Sequence, residues 1–293
     1  MKVALIDADS IIHIVAYSYV VPNESVAFLD TEEDKEAARL EMYNSMNSEA
    51  VLAHIDSFLN DIIVQTESTH YLGFLGAREG SNTFRHKAAK TKPYKGQRGK
   101  TPHWTKYWKP IMVEHMMNKW GFIELFNIEA DDAVAMCATH FKTGGIDYCV
   151  CSPDKDLKQI PGKIYDYKKQ EHHFITDEDS IRILYSQCLV GDSTDNIGGC
   201  PKVGEKSPHL QFPGCNTPED FHRYTYNVFK EKGVPELMEE MLMLVYMLRV
   251  PDGVDIYEIP KPIEYIPIGD KTDEFSQDAE IDDITFEPPT FSQ

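Results

Sequence analysis

The sequence predicts an α/β protein built on a mostly parallel central sheet flanked by helices. Short apolar runs at residues 3–6, 71–75, 122–126 and 146–151 have the length and composition of buried strands. Helical periodicity lies between them and is strongest from Val51 to Val64, where apolar residues recur three and four apart. Strands alternating with helices build parallel sheets, whose ligand crevice opens at the carboxyl ends of the strands. Acidic residues follow three of the four runs within three positions, which is where that crevice would lie.

Taken in order, residues 3–7 form the first strand and 10–19 a helix behind it, and 22–34 read as a polar connection. Helical periodicity covers 36–65, and the next strand is 71–75. Residues 80–100 carry Gly, Pro, Thr and Lys with little apolar content, and predict an exposed, mobile segment. A helix over 104–120 leads to the strand 122–126. A second helix over 129–141 is closed by Gly144 and Gly145 before the strand 146–151. A short helical segment spans 153–160, and 163–167 with 173–176 form a small strand pair. Asp177 caps a helix running to Cys188. Beyond Gly191 glycines and Pro201 mark turns, with helices following at 218–232 and 235–249. This gives a core over 1–190 that includes a basic segment near 80–110, a helical region over 191–250, and an acidic, proline-containing extended tail over 251–293.

Eight acidic residues stand in four clusters: Asp7; Glu129, Asp131 and Asp132; Asp154 and Asp156; Asp192 and Asp195. Converging carboxylates repel one another unless a hard cation neutralises them. The pattern predicts a magnesium or manganese centre of two ions, suited to phosphodiester chemistry. In isolation Asp131 and Asp132 would read as acids facing a helix dipole; the company of the other clusters favours ligation. Asp9 and Asp30 read as a cap and a surface acid.

A net charge of −19 argues against nucleic-acid binding only if taken as one number. From Arg85 to Lys109 the chain carries nine basic residues and no acidic one. A local basic stripe is the footprint of a nucleic-acid contact. Hydrophobic content of 42% describes an ordinary globule, and no apolar run reaches membrane-spanning length. The N-terminus MKVALIDADS has no signal-peptide pattern, and the six cysteines include no CxxC pair. A cytoplasmic, monomeric protein with reduced thiols is expected.

In order along residues 3–206 stand VALIDAD, FRHKAAKTKPYKGQRGK, IEADDAVA, CSPDKDLKQI and GDSTDNIGGCPKVGEK. This series resembles the 5′-3′ exonuclease and flap endonuclease family in its bacteriophage form. The resemblance implies a PIN-like nuclease core, a basic arch over the active site, and a helix–three-turn–helix element that grips duplex phosphates. It assigns Asp7 and the Glu129–Asp132 group to one metal, and Asp154, Asp156, Asp192 and Asp195 to the second. It places Lys95 at the scissile phosphate; from the basic run itself Arg85 is expected at the base of the arch, against phosphate. Tyr94 would offer a stacking surface for an unpaired base. Lys87, Lys92, Tyr94 and Arg98 would contact DNA from the arch, and Lys202, Gly204 and Lys206 from the turn element, where a potassium ion is also implied.

One departure stands out. The family's aspartate before the arch has no counterpart in GFLGAREGSNTFR, where Glu79 is the only acid. Pro208 also enters where a second helix of the duplex element would begin, a position that tolerates proline. The expected substrates are DNA 5′ ends, flaps and nicks, with RNA primers in hybrids as a further one, and the acidic tail would recruit a replication protein. Two other readings stay open: a PIN-type ribonuclease, and a catalytically weak protein that holds flaps without cutting.

Overall fold

The structure is a computed structural model and describes residues 1–21, 31–76, 82–99, 101–249 and 266–267. Strand β1 (Lys2–Asp7) lies at the centre of the sheet, with β2 (His70–Leu75) and β4 (Asp147–Cys151) on either side, both parallel to it. The order is completed by β3 (Ile123–Glu124) beyond β2, and by β5 (Gly162–Asp166) and β6 (Glu171–Ile175) beyond β4. Only β6 in this path runs antiparallel, paired to β5. The mostly parallel α/β sheet expected from the sequence is present.

Side chains alternate across a strand, and β1 shows the result. Ala4 and Ile6 face one apolar layer, Val3 and Leu5 the other, all four without exposure. The first layer is built by α1 (Asp9–Val15), α3 (Ser48–Gln65) and α5 (His103–Trp120), through Ile11, Ile55, Leu59, Trp104 and Trp108. Helix α2 (Glu32–Ser45) begins inside the stretch read as a connection, because Thr31 caps it by accepting from Asp34 N. The second layer is α6 (Ala130–Thr143), whose Ala133, Ala135 and Ala138 are buried. Small side chains let a helix approach a sheet closely. Burial of each large aliphatic chain contributes about 1.5–3 kcal/mol, so β1 is fixed firmly and so is the carboxylate at its end.

The segment expected to be exposed over 80–100 is partly folded. Helix α4 (Phe84–Ala88) buries Phe84, Arg85 and Ala88. Three further helices form a third apolar cluster: α7 (Asp177–Val190), α8 (Pro218–Glu231) and α9 (Leu237–Val245), around Leu184, Cys188, Phe229 and Met241. Thr176, one residue before the expected cap, closes a capping box with Asp179 at the start of α7. After the turns of 191–206 the second helix expected there is reduced to one 3-10 turn, Pro208–Gln211, capped by Ser207. A following left-handed residue, Phe212, ends it.

Expectations for Asp30, Glu79 and most of the tail lie outside the described residues. The exception is β7 (Ile266–Pro267), which pairs antiparallel with His70 and Tyr71 at the sheet edge. All six cysteines are buried and free. Among the described residues no helix is long and apolar enough to cross a membrane.

Candidate active site

Strands β1 and β4 end on the same edge of the sheet, and their carboxyl ends open into a cavity of about 420 Å³. Asp7, the last residue of β1, is buried there; its Oδ2 accepts from Ser152 just past β4 at 2.9 Å. Asp154 follows, with its backbone held by Ser152 Oγ at 3.0 Å, and its Oδ1 accepts from Asp156 N at 2.8 Å. The N-terminal turn of α6 brings Glu129 and Asp131 to the same cavity. A smaller cavity beside it is lined by Asp131, Asp156, Asp192 and Asp195. The four acid clusters of the sequence therefore meet in one basin, with Asp131 bordering both cavities.

The basic segment lies against this basin and is tied to it. Lys95 pairs with Glu129, and Arg98 donates to Asp195 Oδ1 at 3.1 Å. Lys95 N donates to Asp195 O at 2.9 Å, and Asn196 Nδ2 donates to Pro93 O at 2.9 Å. Further back, Glu240 on α9 accepts from the backbone N–H groups of Lys90 and Thr91, both at 2.7 Å. Lys87, Lys92 and Arg98 are exposed on the segment, as are Lys202, Gly204 and Lys206 on the turns after α7.

Three expectations need correction. Arg85 does not face solvent where a phosphate could reach it. It is 1% exposed, and donates to Asp132 through Nη1 at 2.5 Å and Nη2 at 2.8 Å, and to Glu129 Oε2 at 2.6 Å. Its remaining N–H groups donate to the carbonyls of Leu244 and Tyr246. A desolvated guanidinium needs this many acceptors, and burial among carboxylates leaves it no open face. Asp132 is likewise held by protein donors rather than left bare. It is 0% exposed, and Leu248 N takes up Oδ1 beside the two bonds from Arg85. Oxygens of Glu129, Asp131 and Asp132 lie within 4.8 Å of one another, but Asp132 serves as the anchor of Arg85.

Tyr94 is the third. At 7% exposure it has no free face for a base. Its hydroxyl stands 3.0 Å from both Glu129 Oε2 and Asp195 Oδ2, so its one proton is shared between the two acid groups. Burial pushes its ionisation up, which keeps it a donor.

The electrostatics separate neutralised acids from un-neutralised ones. Burial would raise Glu129, but Arg85, Lys95 and the bonds from Lys95 and Tyr94 outweigh it and hold the carboxyl at about 2. Asp7 is pushed up to about 7, by burial first and then by Asp9 and Asp154. Asp156 is also raised to about 7, by burial and then by Asp154. Burial and the neighbouring Asp132 and Glu129 raise Asp131 as well. Among the described residues Asp7, Asp131 and Asp154 form no ion pair, whereas Asp192 is paired with Lys155 at 2.7 Å. Hard oxygen donors that converge without a cation are the donor set that Mg²⁺ or Mn²⁺ takes, so the residues fit such a centre.

Residues 2–183 match the family model described as the 5′-3′ exonuclease N-terminal, resolvase-like domain. The chain belongs to this family. Among curated relatives of the exonuclease domain, DNA polymerase I of Bacillus caldotenax is 33% identical over 166 residues, 51% of this chain. DNA polymerase I of Bacillus subtilis is 32% identical over 169 residues, again 51% of the chain. The matched part is 18% of either polymerase, so this exonuclease-family chain spans under a fifth of those relatives. Two solved structures share the fold. The bacteriophage T5 5′-exonuclease with zinc bound has a TM-score of 0.51 at 14% identity, over 84% of this chain and 89% of its own. A bacteriophage T5 flap endonuclease in a pseudo-enzyme–product complex with DNA and metal ions has a TM-score of 0.50, also at 14% identity and with the same coverage.

Sequence reasoning missed several residues of this exonuclease-family site. Ser152, Gln187 (which donates to Asp156 Oδ1) and Glu240 carry no pattern that marks them. Asp9 is different. It lines the cavity, and its spacing two residues after Asp7 was the available signal.

Proposed function

We propose that the protein hydrolyses DNA phosphodiesters at 5′ ends and 5′ flaps with two Mg²⁺ or Mn²⁺ ions. The observation that carries this reading is the convergence of Asp7, Asp131 and Asp154, un-neutralised, at the carboxyl edge of a parallel sheet beneath a basic segment. Asp7, Glu129 and Asp131 would hold one ion, and Asp154, Asp156, Asp192 and Asp195 the other. Bound there, the ions would lower the pKa of the attacking water and stabilise the leaving oxygen.

The chain's own groups do the rest. Lys95 rests on Glu129 and is 4.8 Å from the Tyr94 ring centroid. On substrate binding it turns from that carboxylate to a phosphate oxygen and adds positive charge in the transition state. Arg85 keeps Glu129 ionised and in place without touching substrate. Tyr94 holds Glu129 and Asp195 at fixed separation, which couples the two ion sites. Exposed Lys87, Lys92 and Arg98 engage the single strand, and Lys202, Gly204 and Lys206 engage duplex phosphates, where turn carbonyls suit a potassium ion. Residues 1–190 form the nuclease core and 191–250 the duplex-binding part. The segment after 250 serves as a docking tail for a replication partner, and RNA in hybrid primers is a secondary substrate.

One observation favours a second reading, a flap-binding protein with little turnover: β2 ends at Leu75 and Gly76 follows it, without an acid at either position. Cleavage of 5′-labelled flap, nicked, single-stranded and RNA-containing substrates with and without Mg²⁺ tests the proposal. Metal-dependent release of short 5′ products supports it; tight binding without products overturns it.

A further inference from the structure

Strand β2 adjoins β1, and its carboxyl end faces the same cavity, yet it contributes no side-chain donor there. Leu75 is buried in the apolar layer and Gly76 has no side chain. The gap is filled from another element. Asp9, the first residue of α1, turns its carboxylate across to β2, and its Oδ1 accepts from Gly76 N at 2.7 Å. A Cβ built on Gly76 would collide with Asp9 Oδ2. The carboxylate therefore occupies the space a side chain at the end of β2 would take.

The bland account of an acid at a helix start is capping, and Asp9 does not cap. The N-cap is Ala8, the first helical N–H is taken by Asp7 Oδ1 at 3.3 Å, and the side-chain contact of Asp9 is to Gly76, 67 residues away. One hydrogen bond to Gly76 N leaves Oδ2 without a donor among the described residues. Asp7, Glu129, Asp131 and Asp154 line the same cavity. A carboxylate held beside Asp7 with no cation between them is repulsive unless an ion is shared.

We infer that Asp9 is a ligand of the metal centre, supplying from the β1–α1 turn the carboxylate that the end of β2 lacks. The inference rests on the metal-dependent reading above and deepens it. It also requires glycine at 76, since any side chain there displaces the Asp9 carboxylate.

Mn²⁺ binding to the full chain, followed by titration calorimetry and by the loss of the free-ion paramagnetic resonance signal, tests this without measuring cleavage. Asp9→Asn keeps the volume and the bond to Gly76 N and loses the charge. It should weaken binding of one ion at least tenfold, with the metal-free melting temperature unchanged or raised. The transfer variant Asp9→Ala with Gly76→Asp should bind that ion more tightly than Asp9→Ala alone, because it moves the carboxylate to β2. Wild-type Mn²⁺ affinity in Asp9→Asn, while Asp7→Asn loses an ion, overturns the inference and leaves the proposed function standing. A wild-type protein that binds no Mn²⁺ overturns both.

Discussion

Replacing Arg85 by methionine separates an interior anchor from a phosphate contact. The guanidinium joins α4 to the acids of α6 and to two carbonyls that follow far along the chain, Leu244 and Tyr246. Its removal leaves Asp132 buried at 0% exposure with no cation, and breaking a buried pair in this way costs about 3–5 kcal/mol. At roughly 2–4 °C per kcal/mol for a chain of this size, the melting temperature should fall by about 6–20 °C. Removing both charges with Arg85→Met and Asp132→Leu should recover much of the loss, since an apolar pair leaves no orphaned charge. Calorimetry or urea unfolding of the wild type, both single variants and the double variant gives the coupling directly. An Arg85→Met protein of wild-type stability that binds DNA weakly would refute the reasoning and return Arg85 to the phosphate.

Lys95→Ala should reduce the single-turnover cleavage rate by about 10²–10³ with a smaller change in affinity, the size expected for one lost electrostatic donor; a variant altered only in affinity makes Lys95 an anchor. Tyr94→Phe removes a proton shared by two carboxyl groups, and should cost about 1.5–3 kcal/mol in urea unfolding while leaving single-strand affinity intact. The pH dependence of stability without divalent ions follows from the shifted acids. Asp7 and Asp156 are pushed up to about 7 in the folded state from an ordinary 3.8, so between those limits the folded state binds more protons and stability falls as pH rises. Glu129, held at about 2 against 4.5, acts in the opposite sense and loses its contribution as pH falls through that lower window. Metal-free unfolding midpoints should therefore decline from about pH 5 to about pH 8, and Mg²⁺ should lift the upper end; a flat profile would contradict this.

The sheet was legible because its strands are short apolar runs, three of the four followed by acids, and β1 and β4 lie within a residue of their expected bounds. The strand at 122–126 shrank to Ile123–Glu124 because only two of its residues pair with β2. The acid clusters were legible as one basin, since their chemistry makes them conspicuous. What each basic or aromatic residue touches was not. Arg85 and Lys87 look alike in a basic run, yet one is sealed among carboxylates and the other is exposed. That difference depends on residues 244–248, which no local pattern links to position 85. Tyr94 was misread for the same reason: its partners, Glu129 and Asp195, are 35 and 101 residues distant.

The dependence on residues 244–248 also gives the centre an order of birth. Every motif that carries the family resemblance lies before residue 207, and the family match stops at 183. Yet Arg85 takes its last acceptors from Leu244 and Tyr246, Asp132 takes a donor from Leu248, and Gln159 fastens to Val245 O at 2.7 Å. A nascent chain that has displayed every acid of the basin still lacks the strap that seats Arg85 and Asp132. Synthesis thus completes the basin's motifs before it fits the rivet, and a fragment cut at the motif boundary carries the signature without the contacts that fasten Arg85 and Asp132.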